Sequence, residues 1–505
     1  MNTEMEITNN DNDDNSNNNS SSNKKLKMFF LPAIYAISHT TPLMNAASLF
    51  ASHPNAQVTI ITTHQNAQIF GNLIDNDSKI GRDIGFHIVK VPTSAVGLSD
   101  DIVDTIISST SSSLDNAGKL FKAMSMLSGL VLDLIMSHQA DCLVSDLLNP
   151  WAANVAQKAH IPFVVFNPSN LFGMCVEDSL TRFVPHENLG SDTQPFVVPG
   201  LPDKVELTRS RLPDYFRGQD IGKEFRLSVK HALELSHCMM VNSFHELEFK
   251  YVEHCKNVMG LKCCLVGPLH CYSSGINPTQ DQEGQIHYLR EWLDHRTENS
   301  VLYVSFGSYA PMSKEQFHEI AHGLEGSSHP FIWVARFNLS GEQGEEGWFP
   351  EGFEKRVNES NKGMIIKTWA PQGAILGHPS VGAFMTHCGW NSCLETLSNG
   401  VPVITWPLRV EQFYNESYMV DVLRVGFRVG NEEWTSQHGQ LKVSVTRDKV
   451  EASVRRMMNC GAEEMIAIRE CARQFADKSK IVYQRGGSSY EDVYALVEEL
   501  KSTSQ

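Results

Sequence analysis

Short apolar runs recur along the chain, separated by longer stretches in which apolar residues return every three or four positions. The runs read as buried strands and the longer stretches as amphipathic helices. In the first half the strand-like runs are KMFFLPA (27–33), QVTIITT (57–63), FHIVKVP (86–92), DCLVSD (141–146), PFVVFNP (162–168), HCMMVNS (237–243) and KCCLVGPL (262–269). Helical patterns lie between them at HTTPLMNAASLFASH (39–53), at 66–74, at 102–138 with a break near 109–113, and from about 150. The stretch 173–218 carries several prolines and an irregular pattern, which marks a functional or mobile loop region.

A second series begins after a weakly patterned segment. VLYVSFG (301–307), FIWVAR (331–336), MIIKTWA (364–370), VGAFMTH (381–387) and VPVITWP (401–407) read as strands, with helices such as SKEQFHEIAHGLEG and NSCLETLSNG between them. Apolar runs alternating with helices imply parallel sheets covered on both faces. Two such series predict an α/β molecule of two lobes, with a ligand cleft at the carboxyl ends of the strands. The expected divisions are a tail at 1–26, a first lobe at 27–269, a linker at 270–291 and a second lobe at 292–480. A closing helix at 481–505, after a break at Gly486–Gly487, is expected to pack back on the first lobe.

Composition narrows the function. With 41% hydrophobic and 20% charged residues, the 505-residue chain can bury sizeable cores. Lys and Arg number 42 against 58 Asp and Glu, a net charge of −16. That balance argues against nucleic acid or anionic membrane as the main partner, while leaving room for one small anion in a local pocket. No uninterrupted apolar stretch approaches the about 18 residues of a membrane span. The first residues lack the basic-then-apolar layout of a secretory signal. The expected place is therefore the cytoplasm, without stable membrane insertion. The tail, rich in Asn, Ser and Asp, is too polar to offset its ordering entropy and is expected to be disordered. The 11 cysteines are odd in number and form no CxxC, so free thiols in a reducing compartment are expected and no metal site.

Three large α/β enzyme classes lose support, because GxGxxG after the first strand, GxxxxGK[ST] and GxSxG are all missing. The most informative stretch runs from Trp369 to Gln412 and holds only three charges, Glu395, Arg409 and Glu411. In it a strand ends at Thr386-His387, a turn Cys388-Gly389-Trp390 follows, and Asn391-Ser392 open a helix. Backbone N–H groups at a helix start, with the macrodipole, attract an anion. Asn391 and Ser392 there either cap the helix, cradle a phosphate, or do both.

The same 44 residues resemble the signature box of plant family 1 UDP-dependent glycosyltransferases, through WAPQ, His378-Pro379, THCGWNS, Glu395, GVP, WP and the closing Glu411-Gln412. The resemblance implies a GT-B fold of two Rossmann-like lobes, and a UDP-sugar as co-substrate with no metal or other cofactor. Trp369 would stack on uracil, with Ala370 and Gln372 at the uracil edge and Glu395 at the ribose hydroxyls. His387, Asn391, Ser392 and Ser308 would contact the phosphates, and Trp390, Glu411 and Gln412 the sugar. Gln412 at the last position implies UDP-glucose.

A hydroxyl attacking a sugar carbon must lose its proton, and histidine is the side chain whose pKa suits that step. By residue type alone His39 fits a helix-start histidine as well as a base, and Asp146 fits a strand-end aspartate. The resemblance assigns them as catalytic base and partner acid, and implies transfer with inversion. FFLPAIYAISHTTPLMNAASLFA, QVTIITT and VPGLPD resemble the branch acting on triterpenoid, steroidal and flavonoid hydroxyls. The expected partners are thus UDP-glucose and a lipophilic acceptor, foremost a triterpenoid or its glycoside and next a flavonoid, with a monomeric chain. Two rivals remain beside this reading. A non-catalytic sugar-nucleotide binding protein has no need of the His39–Asp146 pair, and a UDP-sugar epimerase does not account for the plant-type box.

Overall fold

A computed structural model describes residues 24–99, 114–218, 222–272, 280–307, 312–336, 347–435 and 441–503. The first sheet contains β1 (Leu26–Leu31), β2 (Ala56–Thr62), β3 (Ile84–Ile88), β4 (Cys142–Asp146) and β5 (Phe163–Asn167). A separate hairpin, β6 (Pro195–Val197) with β7 (Glu206–Thr208), precedes its last strands, β8 (Cys238–Val241) and β9 (Cys263–Leu265). The sheet order is β3-β2-β1-β4-β5-β8-β9, all parallel. In the second sheet β10 (Val301–Ser305), β11 (Phe331–Val334), β12 (Gly363–Ile366), β13 (Val381–Thr386), β14 (Val403–Thr405) and β15 (Gly426–Arg428) are arranged β12-β11-β10-β13-β14-β15, again parallel. Strands β1, β4, β5, β10 and β13 are buried at nearly every position, as their unbroken apolar runs require.

This topology places the chemistry. In each sheet the chain builds outward in one direction, β1 to β3 and β10 to β12, then returns to the other side of its first strand with β4 or β13. The strand pairs β1/β4 and β10/β13 are therefore switch points, where loops leave in opposite directions and open a crevice at the carboxyl ends. His39 and Asp146 follow or end the first pair, and Gly307 and His387 follow the second.

Several segments differ from the sequence expectation. The region read as irregular from 173 begins with a regular helix, Leu171–Phe183, whose buried face includes Phe172, Cys175, Val176 and Leu180. Asn170 caps it, accepting from the Gly173 N–H at 2.8 Å. Within the stretch expected as linker, 270–291, residues from 280 onward belong to helix Gln280–Asp294; among its described side chains only Leu289, Trp292 and Leu293 are buried, so these show no apolar period before the helix end. Strand β15 is three residues long, Gly-Phe-Arg, too short for periodicity to reveal. The long helical pattern breaks at Met126–Leu127, between helices Leu114–Ser125 and Ser128–His138; the break expected at 109–113 lies outside the described residues. The stretch Gly118–His138 reaches a mean hydropathy of 1.5, and among the described residues it alone is long and apolar enough to span a membrane. Its Leu120, Ala123, Met124, Val131 and Ile135 are buried in the core of the first lobe.

The lobes share packing as well as a crevice. Phe172 stacks on Tyr418 at 4.5 Å, and Trp390 lies 6.3 Å from the same ring, in one apolar cluster drawn from both lobes. Helix Ser488–Thr503 sends Val493, Leu496, Val497 and Leu500 into the core beneath β1 and β2 of the first lobe. There Asp492 accepts from the Leu265 N–H at 2.7 Å, and Ser489 donates to the Gly267 carbonyl at 2.6 Å.

Candidate active site

Helix Ile37–Ala51 starts after a five-residue connection from the end of β1. Its early position brings His39 over the end of β4, where Asp146 is fully buried. His39 Nδ1 lies 3.1 Å from each oxygen of the Asp146 carboxylate. That carboxylate also accepts from the Leu148 N–H at 2.8 Å, so its own orientation is fixed. A carboxylate at Nδ1 holds the proton there and leaves the lone pair on Nε2, which makes Nε2 the basic atom. Burial by itself lowers the His39 pKa, but Asp146 and the charge of Glu411 from the other lobe outweigh it, and the net shift is upward from 6.5.

Across the crevice, β13 runs into a tight turn. Cys388 adopts φ +64°, a left-handed conformation that is costly outside glycine. The His387 ring sits between Gly307 and Gly389: a Cβ on either would stand 2.6 or 2.5 Å from His387 Nε2. Only glycine at both positions admits the imidazole. Burial pushes the His387 pKa down to about 4, so the ring is neutral near pH 7, and its buried Nδ1 has no hydrogen-bond partner. Helix Trp390–Asn399 begins immediately after the turn with Gly389 as its cap residue and no side-chain cap bond. Asn391 and Ser392 are thus inside the first turn rather than capping it. The N–H groups of that turn carry no competing side-chain cap, the arrangement an anion site requires.

Three further residues of the box are drawn together. Gln372 donates to Ser392 Oγ at 3.1 Å and to Glu395 Oε2 at 2.6 Å, and accepts from the Tyr303 hydroxyl at 3.3 Å. Burial raises the Glu395 pKa to about 7, with the Gln372 bond holding it down. Trp369 is 43% exposed, whereas Ala370 beside it is buried. An exposed indole next to this polar cluster offers a flat face for a ring.

The end of the box folds back toward the first lobe. Gln412 accepts at Oε1 from the Leu408 and Arg409 N–H groups, at 2.9 and 3.0 Å, which leaves its NH₂ as the remaining donor. Burial raises the Glu411 pKa, while the charge of His39 pulls it down. Glu411 therefore stands in the electrostatic reach of His39.

Two box residues do something that their spacing did not suggest. Trp390 is 3% exposed, its indole N–H donates to the Asn242 carbonyl at 2.8 Å, and its ring packs in the apolar cluster between the lobes. Asn391 donates to the Ser38 carbonyl at 2.8 Å and accepts from Asn242 at 3.3 Å, tying the turn directly to the residue before His39. Ser308 lies outside the described residues. Asn242 and Asn415 were missed by the sequence reading, yet they organise the junction. Asn415 accepts from Asn170 at 2.7 Å and donates to the Cys388 carbonyl at 2.9 Å. Asn242 stands one residue beyond β8, and a polar residue at a parallel strand's carboxyl end is the signal that was available.

Residues 249–440 match the family described as "UDP-glucoronosyl and UDP-glucosyl transferase". The chain is 41% identical to an anthocyanin 3'-O-beta-glucosyltransferase of Gentiana triflora over 95% of its own length and 99% of the relative's. It is 38% identical to a soyasapogenol B glucuronide galactosyltransferase of Glycine max, covering 94% and 96% of the two chains. The crystal structure of Glycyrrhiza uralensis UGT73P12 complexed with glycyrrhetinic acid 3-O-monoglucuronide superposes with a TM-score of 0.86 at 37% identity, over 95% of this chain and 96% of that one. Identity of this extent over both lobes, joined to a histidine–aspartate pair facing an uncapped helix start, makes the chain a member of the plant family 1 UDP-glycosyltransferases.

Proposed function

We propose that this glycosyltransferase moves glucose from UDP-glucose to a hydroxyl of a lipophilic plant metabolite, with inversion, and that His39 is the base. The observation that carries this reading is the 3.1 Å contact of His39 Nδ1 with both oxygens of Asp146, on the side of the crevice opposite the helix start at Trp390. Members of the family use the UDP-sugar as co-substrate without a metal. In the reaction the acceptor hydroxyl gives its proton to His39 Nε2 and its oxygen bonds to the anomeric carbon. The bond from that carbon to the diphosphate oxygen breaks, and UDP leaves with the electron pair. The first-turn N–H groups of helix Trp390–Asn399 and the neutral His387 ring would take up the charge that develops on the diphosphate. Glu411 and Gln412 would hold the sugar hydroxyls, and Glu395 those of the ribose.

A triterpenoid or triterpenoid glycoside is the acceptor that the reading favours, supported by the likeness to UGT73P12 with its bound glycyrrhetinic acid 3-O-monoglucuronide. A flavonoid is the second, supported by the 41% identity to the anthocyanin enzyme. Incubation with UDP-glucose and UDP-galactose against triterpenoid and flavonoid aglycones, read by mass spectrometry, tests both choices. A gain of one hexose on triterpenoids from UDP-glucose is the expected result. Gain on flavonoids alone, or from UDP-galactose alone, refutes the corresponding choice.

The role of Trp369 is testable without an acceptor. Base–aromatic stacking contributes about 1–3 kcal/mol, so Trp369→Ala is expected to weaken UDP binding roughly ten- to hundredfold. Trp369→Phe should recover most of it. Unchanged UDP affinity in the alanine variant, by calorimetry, would remove Trp369 from the site.

A further inference from the structure

The turn between β13 and helix Trp390–Asn399 is held from the first lobe by two buried amides. Asn170, at the start of helix Leu171–Phe183, is buried, and Asn415, in helix Gln412–Ser417, is fully so. Asn170 Oδ1 accepts from the Gly173 N–H at 2.8 Å, and Asn170 Nδ2 donates to Asn415 Oδ1 at 2.7 Å. Asn415 Nδ2 then donates to the Cys388 carbonyl at 2.9 Å. The two ends fix the direction of this relay. A backbone N–H only donates and a carbonyl only accepts, so neither amide can turn over without setting two donors or two acceptors face to face. The start of the first helix is anchored independently, because Glu248 accepts from the Leu171 and Phe172 N–H groups at 3.2 and 2.8 Å.

Cys388 is where a fixed carbonyl matters. A left-handed conformation at a residue with a side chain persists only where the surroundings over-determine it, and the φ of Cys388 is +64°. Its N–H donates to Thr386 Oγ1 at 3.3 Å, and Asn415 holds its carbonyl. In a trans peptide the carbonyl and the following N–H point in opposite directions. The bond from Asn415 therefore turns the Gly389 N–H away from Asn415, and the uncapped helix starts from that same peptide. A rotated peptide would exchange the two groups and set a carbonyl oxygen where the N–H stood. An oxygen there repels the anion that an N–H attracts.

We infer that Asn415 is a positioning residue for the donor's diphosphate: through the Cys388 carbonyl it aims the turn at the phosphates, and Asn170 of the first lobe sets its amide. This rests on the reading of the turn as the phosphate site. The test is calorimetry of UDP and of uridine binding to the full chain and to its Asn415→Ala and Asn170→Ser variants. Serine still caps a helix but is too short to reach Asn415, so Asn170→Ser cuts the relay and spares the helix start. Asn415→Ala should bind UDP about tenfold more weakly, and Asn170→Ser several-fold more weakly. Both should bind uridine as the parent does, since uridine carries no phosphate. Parental UDP affinity in Asn415→Ala overturns the inference. So does an equal loss for UDP and uridine, which would mean general damage to the second lobe. Parental UDP affinity in Asn170→Ser would remove the first lobe from the relay and overturn it as stated. Failure of the parent chain to bind UDP would instead overturn the underlying function, so the two failures are told apart.

Discussion

His39→Ala is expected to lower transfer by about 10²–10⁴-fold, the usual worth of a general base, while UDP binds as before. The pH profile gives a sharper reading of the same pair. The base works only when neutral, so activity falls as pH drops through the His39 pKa. That pKa is raised, which places the acid limb above 6.5. In Asp146→Asn the attraction that raises it is gone, and burial, which lowers it, remains. The limb should therefore move to lower pH even as turnover falls, because the amide no longer fixes the proton on Nδ1. Near-parental turnover in His39→Ala, or an acid limb that stays put in Asp146→Asn, would exclude the assignment. Glu411 also raises His39, so Glu411→Gln should shift the limb in the same direction.

The largest loss of stability is expected at Glu416, which has no role in the chemistry. Its carboxylate is fully buried and accepts from Arg211 of the first lobe, from Arg428 Nε at 3.3 Å and from Thr405 at 2.7 Å. The side chain of Arg211 is 10% exposed and packs over the Phe413 ring. Removing one partner from a buried ion pair costs about 3–5 kcal/mol, because the charge left behind keeps its desolvation penalty. Glu416→Ala should lose that much in urea unfolding, and Arg211→Ala less, since Arg428 remains. A double-mutant cycle should return a coupling of roughly 0.5–3 kcal/mol. Glu416 lies one helical turn beyond Gln412 in helix Gln412–Ser417, so the alanine variant should also raise the KM for the UDP-sugar. Parental unfolding midpoints in Glu416→Ala would show that the triad does not brace the lobes.

Strand-like runs such as DCLVSD and VGAFMTH correspond to β4 and β13 because burial on both faces of a parallel strand demands an unbroken apolar run, a strictly local signal. Where that demand weakens, so does the signal. Strand β15 spans three residues, and among the described side chains of helix Gln280–Asp294 only those of its last turns are buried. Helix Leu171–Phe183 was obscured by the glycine and prolines around it, although its apolar face has the right period.

The site divides in the same way. The sequence alone determined the two α/β series through local patterning, and the Trp369–Gln412 box, with the candidacy of His39 and Asp146, through its resemblance to the family. Only the tertiary structure decided what these residues face. His39 and Asp146 stand 107 positions apart and meet because β1 and β4 are neighbours in the sheet. Asn391 and Ser38 are 353 apart and meet because the lobes pack together. The Trp390 ring lies in the interlobe core because its indole finds both an apolar cluster and a carbonyl acceptor there. Local patterning follows from which side of an element is buried; which groups then share a crevice follows from strand order and from the surface each lobe buries against the other.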